Sequence, residues 1–256
     1  MNPFRITDGH AHLPLRHGAV EKLLATMVEM EIGRTIVVAG GALSPEALSE
    51  NMVRDIGVDT EIDNAGLFAE CQKAPDKLLP FYFANPHRGS DAYEKAGSQF
   101  YGLKLGPAVH GVALNDTRHL DLATVAQAFG HPIYLHCLNR GGFGVDTLVK
   151  LAKQFPKVDF ILGHAGVGHF DFYGVSLIAT LSNIYFETSG GFSSVVKRAV
   201  EVLGIDRVLF GSEYPLQDPQ VEIFKMKRLG LSDSDLEKVL ASNSERLLNR
   251  SGGIRE

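Results

Sequence analysis

The sequence predicts an α/β protein, a single (β/α)8 barrel domain over residues 1–256, and three observations support this. The length of 256 residues suits one barrel domain. Short runs of β-branched and aromatic residues recur about every 29 residues, roughly the length of one strand with its helix. Runs such as TIVVAG and DFILGH are apolar on both faces, which is typical of strands covered by helices on both sides. A doubly wound open sheet is the second possibility.

Strands and helices are predicted to alternate along the chain. The predicted strands are residues 5–8, 34–39, 79–84, 101–105, 132–137, 158–163, 183–188 and 207–211. Amphipathic patterns predict helices at 20–31, 44–54, 62–73, 121–129, 146–155, 220–228, 233–241 and 244–249. Ser44 followed by Pro45 indicates a helix start, because serine caps the first turn and proline suits the first helical position.

The composition excludes several classes of protein. Hydrophobic residues make up 45% and charged residues 21%, which is typical of a globular domain. The net charge of −5 disfavours a nucleic-acid partner. No apolar run reaches the roughly 18 residues that span a membrane, and the first residues lack an apolar signal core. Two cysteines, Cys71 and Cys137, cannot make a disulfide framework, so a cytoplasmic location is expected.

Polar residues cluster where the predicted strands end. Barrels of this class carry their chemistry at the C-terminal ends of the strands. Those ends hold His10 and His12, Lys104, His136, His164 and Glu213. His10 and His12 are two residues apart, so on a strand both side chains point to the same side. Because imidazole suits Zn²⁺ and similar divalent ions, the pattern predicts a metal site.

These segments resemble motifs of the amidohydrolase superfamily, in particular its amidohydrolase-related (family 2) branch of metal-dependent barrel hydrolases. The matching segments are DGHAH (8–12), GLKLGP (102–107), YLHC (134–137), LGHAG (162–166), FGSEYP (210–215) and ASNSERLL (241–248). The resemblance covers nearly the whole chain, and the motifs are specific as a set rather than singly.

The resemblance implies a role for each strand-end residue. It makes His10, His12 and His136 metal ligands, and Glu213 a ligand that also moves protons. It makes His164 either a ligand of a second metal or a catalytic histidine beside a metal-bound water. The family most often has aspartate where this chain has Glu213. The extra methylene leaves three options for Glu213: a ligand that shifts the metal, a base only, or a capping residue of the following loop.

Lys104 allows three interpretations. In two-metal relatives a lysine forms a carbamate between the metals. With one metal, which is the favoured expectation and implies one zinc ion, Lys104 would be catalytic through a hydrogen bond or a substrate contact. A structural ion pair with Glu187 is the third. Arg140 could bind a substrate carboxylate through two hydrogen bonds, or be a solvated loop charge, and Tyr214 is placed near the substrate. The remaining histidines are expected at the surface or at helix caps: His17, His119, His131 and His169.

The function expected from this set is hydrolysis of a small-molecule amide, ester or lactone by a metal-activated water. The alternative is nonoxidative decarboxylation of an aromatic or unsaturated acid by the same branch. A metal-dependent deoxyribonuclease is disfavoured by Lys104 and by the negative net charge, and a non-catalytic metal-binding barrel by the full set of polar strand ends. The sequence leaves open the substrate and whether the chain forms a homo-oligomer, because loops set the specificity of a barrel.

Overall fold

A computed structural model describes residues 6–41, 43–168 and 170–250. They form one parallel sheet of eight strands in the order β1 to β8, the arrangement of a (β/α)8 barrel, so the predicted fold class is confirmed. The strands are β1 (Ile6–Pro14), β2 (Ile32–Gly40), β3 (Leu78–Ala84), β4 (Gly102–Leu105), β5 (Ile133–Leu135), β6 (Phe160–Leu162), β7 (Ile184–Glu187) and β8 (Val208–Leu209).

Helices alternate with these strands on the outside of the barrel. They are α1 (Ala19–Glu29), α2 (Pro45–Arg54), α3 (Asn64–Cys71), α4 (Asp91–Ala96), α5 (Pro107–His110), α6 (Thr117–Phe129), α7 (Val145–Gln154), α8 (Phe172–Ile178), α9 (Ser193–Leu203), α10 (Pro219–Lys227), α11 (Asp233–Glu237) and α12 (Asn243–Arg250). A π-helical turn, Lys238–Ser242, joins the last two. Within the described ranges, no helix has the length and apolar character needed to cross a membrane.

Alternate side chains of each strand pack on opposite sides of the sheet. The buried apolar side chains form two clusters, a larger one and a smaller one. On β2, Ile36 and Val38 belong to the smaller cluster, whereas Val37 and Ala39 belong to the larger cluster. Each of these four side chains is at most 4% exposed. Burying a valine or isoleucine contributes about 1.5–3 kcal/mol. This double burial explains why the strands read as continuous apolar runs.

Backbone contacts between β1 and the segment after β8 close the barrel. Gly9 donates its N–H to the carbonyl of Phe210 at 2.8 Å, and Glu213 donates to the carbonyl of His10 at 3.0 Å. A side chain on Gly9 would place its Cβ 2.6 Å from the Phe210 oxygen. Glycine therefore permits the close approach that brings His10 beside Glu213.

Several boundaries differ from the predictions. The helix predicted to begin at Asp121 begins at Thr117, because the Asp116 carboxylate accepts the N–H of Arg118 and caps it. The first strand continues to Pro14, well past the predicted residue 8, and residue 5 lies outside the described residues. Ser44 caps α2 as predicted, accepting from the N–H of Ala47.

Two histidines expected at the surface or at caps are buried. His119 is fully buried and donates from Nδ1 to the carbonyl of Ala113 at 2.8 Å. His131 is 5% exposed, and its Nδ1 lies 2.7 Å from the hydroxyl of Tyr93. His17 is exposed, and residue 169 lies outside the described residues. Burial lowers the pKa of both His119 and His131 to about 4, so both are neutral at pH 7.

Candidate metal centre

Four histidines and one glutamate converge at the C-terminal ends of the strands. The Nε2 atoms of His10 and His164 lie 3.3 and 3.4 Å from Oε2 of Glu213. Nε2 of His12 lies 3.4 Å from the other oxygen, Oε1. Nε2 of His136 lies 2.5 Å from Nε2 of His164. The ligand atoms form two groups, one of His10, His136 and His164 and one of His10, His12 and Glu213. Within each group all of the ligand atoms lie within 4.8 Å of one another. We call these five residues the ligand cluster.

Burial keeps two of these imidazoles neutral. His10 is fully buried and stacks on the ring of Tyr134 with centroids 4.0 Å apart. Burial, followed by the nearby charge of Lys104, lowers the pKa of His10 well below its ordinary value. The same two causes lower the pKa of His136. A neutral imidazole has a free lone pair, which is the form that binds a metal cation.

Glu213 is held as a carboxylate that faces the histidines. Burial alone would raise its pKa, but positive charge on His164, His12 and Lys104 outweighs burial and brings the pKa of Glu213 to about 2. Its backbone is left-handed, with φ of 59°, a region that residues other than glycine rarely adopt. The N–H donated to His10 helps to hold this turn.

His164 lies on a turn that is fixed by the seventh strand. His164 and Ala165 both have left-handed backbones, with φ of 56° and 53°. The N–H of His164 donates to Oε2 of Glu187 at 3.1 Å, and the N–H of Ala165 donates to the backbone carbonyl of Glu187 at 2.8 Å. Nδ1 of His164 lies 2.9 Å from the hydroxyl of Ser189. These contacts orient Nε2 of His164 toward the other members of the ligand cluster.

A buried aspartate joins the first strand to the segment after the eighth. Asp8 accepts hydrogen bonds from the N–H of Ser212 at 2.8 Å, from its hydroxyl at 2.5 Å and from the N–H of His10 at 3.2 Å. Burial raises the pKa of Asp8 to about 7, although the bonds from Ser212 oppose that rise. Asp8 thereby keeps His10 next to Glu213.

Lys104 lies beside the ligand cluster on β4 and is fully buried. Its Nζ lies 2.5 Å from Nε2 of His136 and 4.1 Å from the centre of the Tyr134 ring. Burial lowers the pKa of Lys104 to about 7, with Glu213 and Glu187 acting in the opposite direction. Glu187 accepts its side-chain hydrogen bonds from Tyr134 and Ser189. Near neutral pH, Lys104 can therefore exist either as an ammonium or as a free amine.

The ligand cluster fits a divalent cation. Both ring nitrogens of His10 and Oε2 of Glu213 are buried without a hydrogen-bond partner among the described residues. Buried polar atoms are normally satisfied, and a bound cation would satisfy those that face it. Imidazole nitrogens combined with a carboxylate are a donor set for Zn²⁺, Mn²⁺ and similar ions.

The two predicted substrate-binding residues have other contacts in the structure. Arg140 forms an ion pair with Asp55, and its NH2 donates to the carbonyl of Met52 at 3.1 Å, so it joins the loop after β5 to the end of α2. Tyr214 is 8% exposed within the larger apolar cluster. Its carbonyl accepts the N–H of His12 at 2.6 Å. Tyr214 therefore helps to hold β1 at the barrel mouth.

Sequence reasoning missed the residues that support the cluster from behind. The sequence patterns give no separate role to Ser189 or Tyr134, and they suggest Glu187 only as a partner for Lys104. A signal was present, because Glu187, the last residue of β7, and Ser189, in the turn after it, are two residues apart, as His10 and His12 are on β1. In an extended chain this spacing puts two side chains on the same side.

Comparison with known proteins gives a family and a fold. The model of the amidohydrolase family matches residues 7–250. No curated protein matches the sequence. Among solved structures, 5-carboxyvanillate decarboxylase from Sphingomonas paucimobilis is 14% identical, with a TM-score of 0.71 over 96% of this chain and 99% of the other.

Two further structures show the same fold. Dihydroxybenzoic acid decarboxylase from Polaromonas, solved with bound manganese and an inhibitor, is 15% identical, with a TM-score of 0.71 over 97% of each chain. A putative amidohydrolase from Staphylococcus aureus is 15% identical, with a TM-score of 0.70 over 96% of this chain and all of the other. On the strength of the family match across nearly its whole length, the chain belongs to the amidohydrolase family.

Proposed function

We propose that this protein is a metal-dependent decarboxylase, which releases CO₂ from a small aromatic or unsaturated carboxylic acid without oxidising it. The observation that carries the proposal is Lys104, a fully buried amine 2.5 Å from a histidine of the ligand cluster. An ammonium group there attracts an anionic substrate, whereas a neutral ester or amide gains little from it. The similarity to decarboxylases of hydroxybenzoate type over nearly the whole chain supports the same choice.

The side chains divide the work of this reaction. His10, His12, His136 and Glu213 would hold the cation, which supplies a Lewis acid that binds an anionic substrate. The bond between the carboxyl group and its neighbouring carbon breaks, CO₂ leaves, and the electron pair stays on that carbon. The carbon then takes a proton. Lys104 through Nζ, or His164 through Nε2 after it has taken up a second proton, are the groups at the cluster that can deliver it.

A metal-dependent hydrolase is the second candidate, and the position of Glu213 favours it. Glu213 is ionised at neutral pH and lies 3.3–3.4 Å from three histidines of the ligand cluster, so its carboxylate is placed to accept a proton from water beside a bound cation. Hydrolysis of an amide, ester or lactone needs such a base beside the cation. This candidate differs from the decarboxylase in the atom that water supplies to the product, which is oxygen in hydrolysis and hydrogen in decarboxylation.

Isotope labelling decides between the two candidates. The protein, loaded with Mn²⁺ or with Zn²⁺, is incubated with hydroxybenzoates, unsaturated diacids, esters and lactones. The reactions run in D₂O and, separately, in H₂¹⁸O, and mass spectrometry identifies the products. The proposal expects CO₂ release and one deuterium at the carbon that lost it. Incorporation of ¹⁸O into a cleaved ester or lactone, without deuterium on carbon, would replace the proposal with the hydrolase.

The choice of metal and the compartment remain proposals. Zinc is the expected ion, and the Polaromonas decarboxylase was solved with manganese, so both belong in the assay. We propose a small-molecule substrate and a cytoplasmic location on the sequence arguments given above.

A further inference from the structure

Ser189 links a buried carboxylate to a histidine of the ligand cluster. Its hydroxyl oxygen lies 2.9 Å from Oε2 of Glu187 and 2.9 Å from Nδ1 of His164. Both Ser189 and Glu187 are fully buried. A serine hydroxyl has one proton, so it can donate to only one of these two neighbours and must accept from the other.

The contacts of Glu187 decide which neighbour receives that proton. Its Oε1 accepts the backbone N–H of Ser189 at 2.5 Å, and its Oε2 accepts the backbone N–H of His164 at 3.1 Å. Oε2 also accepts the hydroxyl of Tyr134 at 2.7 Å. These three donors and the Ser189 hydroxyl together match the roughly four acceptor positions of an ionised carboxylate, so both oxygens of Glu187 act as acceptors here. The Ser189 proton therefore points to Glu187.

We propose that Ser189 is a positioning residue that fixes the tautomer of His164. Because its only proton goes to Glu187, the Ser189 oxygen accepts a hydrogen bond from Nδ1 of His164. Neutral His164 then carries its proton on Nδ1, and the lone pair of Nε2 faces His136 and Glu213. This is the tautomer that can bind a cation or take up a proton at the cluster. A histidine that binds metal is commonly held in this way through its second ring nitrogen.

The segment that carries Ser189 is anchored on both sides by α10. Lys225 donates from Nζ to the carbonyl of Thr188 at 2.8 Å and to that of Gly191 at 2.9 Å. Oε1 of the buried Glu222 accepts the N–H of Gly190 at 3.2 Å. Two charged side chains are thus committed to this short turn, which limits the movement of Ser189 away from His164.

The fit around Glu187 gives an independent reason for a glycine in the FGSEYP segment. A side chain on Gly211 would place its Cβ 2.3 Å from Oε1 of Glu187. Gly211 thereby leaves room for the carboxylate to lie against the turn and to receive the hydrogen bonds that orient Ser189. Only the effect of the tautomer on metal binding rests on the proposed function. The tautomer itself depends on the contacts among Ser189, Glu187 and His164 alone.

Nuclear magnetic resonance of the metal-free protein tests the tautomer directly. The histidine rings are labelled with ¹⁵N, and the signals of His164 are identified by their loss in a His164→Gln variant. At about pH 8, where an ordinary imidazole is neutral, a protonated ring nitrogen is distinguished from a bare one by its chemical shift. We expect a bare Nε2 and a protonated Nδ1 in the wild type. A proton on Nε2 would overturn the proposal, and this measurement needs no variant of Ser189.

Two variants and a control then test the role of the hydroxyl. Ser189→Ala should give a mixture of the two tautomers and weaken Mn²⁺ binding by only about 2- to 10-fold, because the competent tautomer stays populated and His10, His12, His136 and Glu213 still hold the ion. Ser189→Thr, which keeps a hydroxyl, should restore the wild-type tautomer. Ser176→Ala removes an exposed serine and should change neither readout. An unchanged tautomer and unchanged affinity in Ser189→Ala would also overturn the proposal.

The two proposals fail in different ways. A wild-type protein with the expected tautomer that releases no CO₂ from any acid would contradict the proposed function and leave the role of Ser189 intact. An active decarboxylase with the opposite tautomer would do the reverse.

Discussion

Replacing Lys104 by methionine should stabilise the metal-free protein at neutral pH. Lys104 is fully buried, and its ammonium loses hydration that its contacts with His136 and the ring of Tyr134 only partly replace. Methionine has a similar length and fills the same space without a charge. The expected gain in stability comes at the expense of the positive charge that we assign to substrate attraction.

The pKa of Lys104 sets the magnitude of this gain. Its fall from 10.5 to about 7 corresponds to about 5 kcal/mol, because each pKa unit is worth about 1.4 kcal/mol. The pKa is lower in the folded state, so between about pH 7 and 10.5 the unfolded chain binds the extra proton. Wild-type stability therefore rises with pH across that window, whereas the variant lacks this dependence. The variant's advantage is largest at pH 7 or below and shrinks by about 1.4 kcal/mol per pH unit above it.

Urea unfolding between about pH 7 and 9.5 measures this dependence in wild type and Lys104→Met, with chelator present. Lys150→Met is the control, because Lys150 is 71% exposed and should change stability by no more than about 0.5 kcal/mol at any pH. A stability difference between Lys104→Met and wild type that stays constant across this range would refute the reasoning. So would a variant that is less stable than wild type at pH 7.

Three further substitutions test other parts of the site. Glu213→Gln tests the second candidate, because at matched metal occupancy it should lower kcat by about 10² to 10⁴ if Glu213 accepts a proton from water, and a kcat within roughly threefold of wild type would remove that role from Glu213. Tyr134→Phe takes away a hydroxyl that donates to the buried Glu187 at 2.7 Å, so urea unfolding should show a loss of about 1–3 kcal/mol, and an unchanged midpoint would contradict this. Arg140→Ala should raise KM no more than Asp55→Ala does, because Arg140 and Asp55 form an ion pair with each other. A much larger rise in KM for Arg140→Ala than for Asp55→Ala would instead indicate that Arg140 contacts the substrate.

The barrel could be predicted because its signal is local. Each strand is an apolar run of a few residues, and each recurs after a helical segment. Boundaries were harder to predict where tertiary contacts extend an element. The first strand runs on through His10 and His12 because it pairs with β2 as far as Gly40 and because Gly9 lets it approach Phe210. Neither partner is visible from the residues of β1 alone.

The ligand cluster could be anticipated because its members stand at strand ends within recognisable motifs. The network behind it could not. Ser189 lies 25 residues from His164 along the chain, and their contact depends on the left-handed turns after β6. The burial of His119 has the same kind of cause, since the backbone carbonyl that satisfies it, that of Ala113, is presented by a loop. Local sequence patterns do not encode such pairings.

Metal content measures the central claim most directly. The purified protein is loaded with Mn²⁺, freed of unbound ion by gel filtration, and analysed for metal per chain. The ligand cluster predicts about one equivalent in the wild type, and loss of most of it in His12→Ala because few protein ligands share the ion. His17→Ala, which removes an exposed histidine, should retain the wild-type amount. Under about a tenth of an equivalent in the wild type, with Zn²⁺ as well as Mn²⁺, or equal occupancy in His12→Ala, would contradict the metal centre.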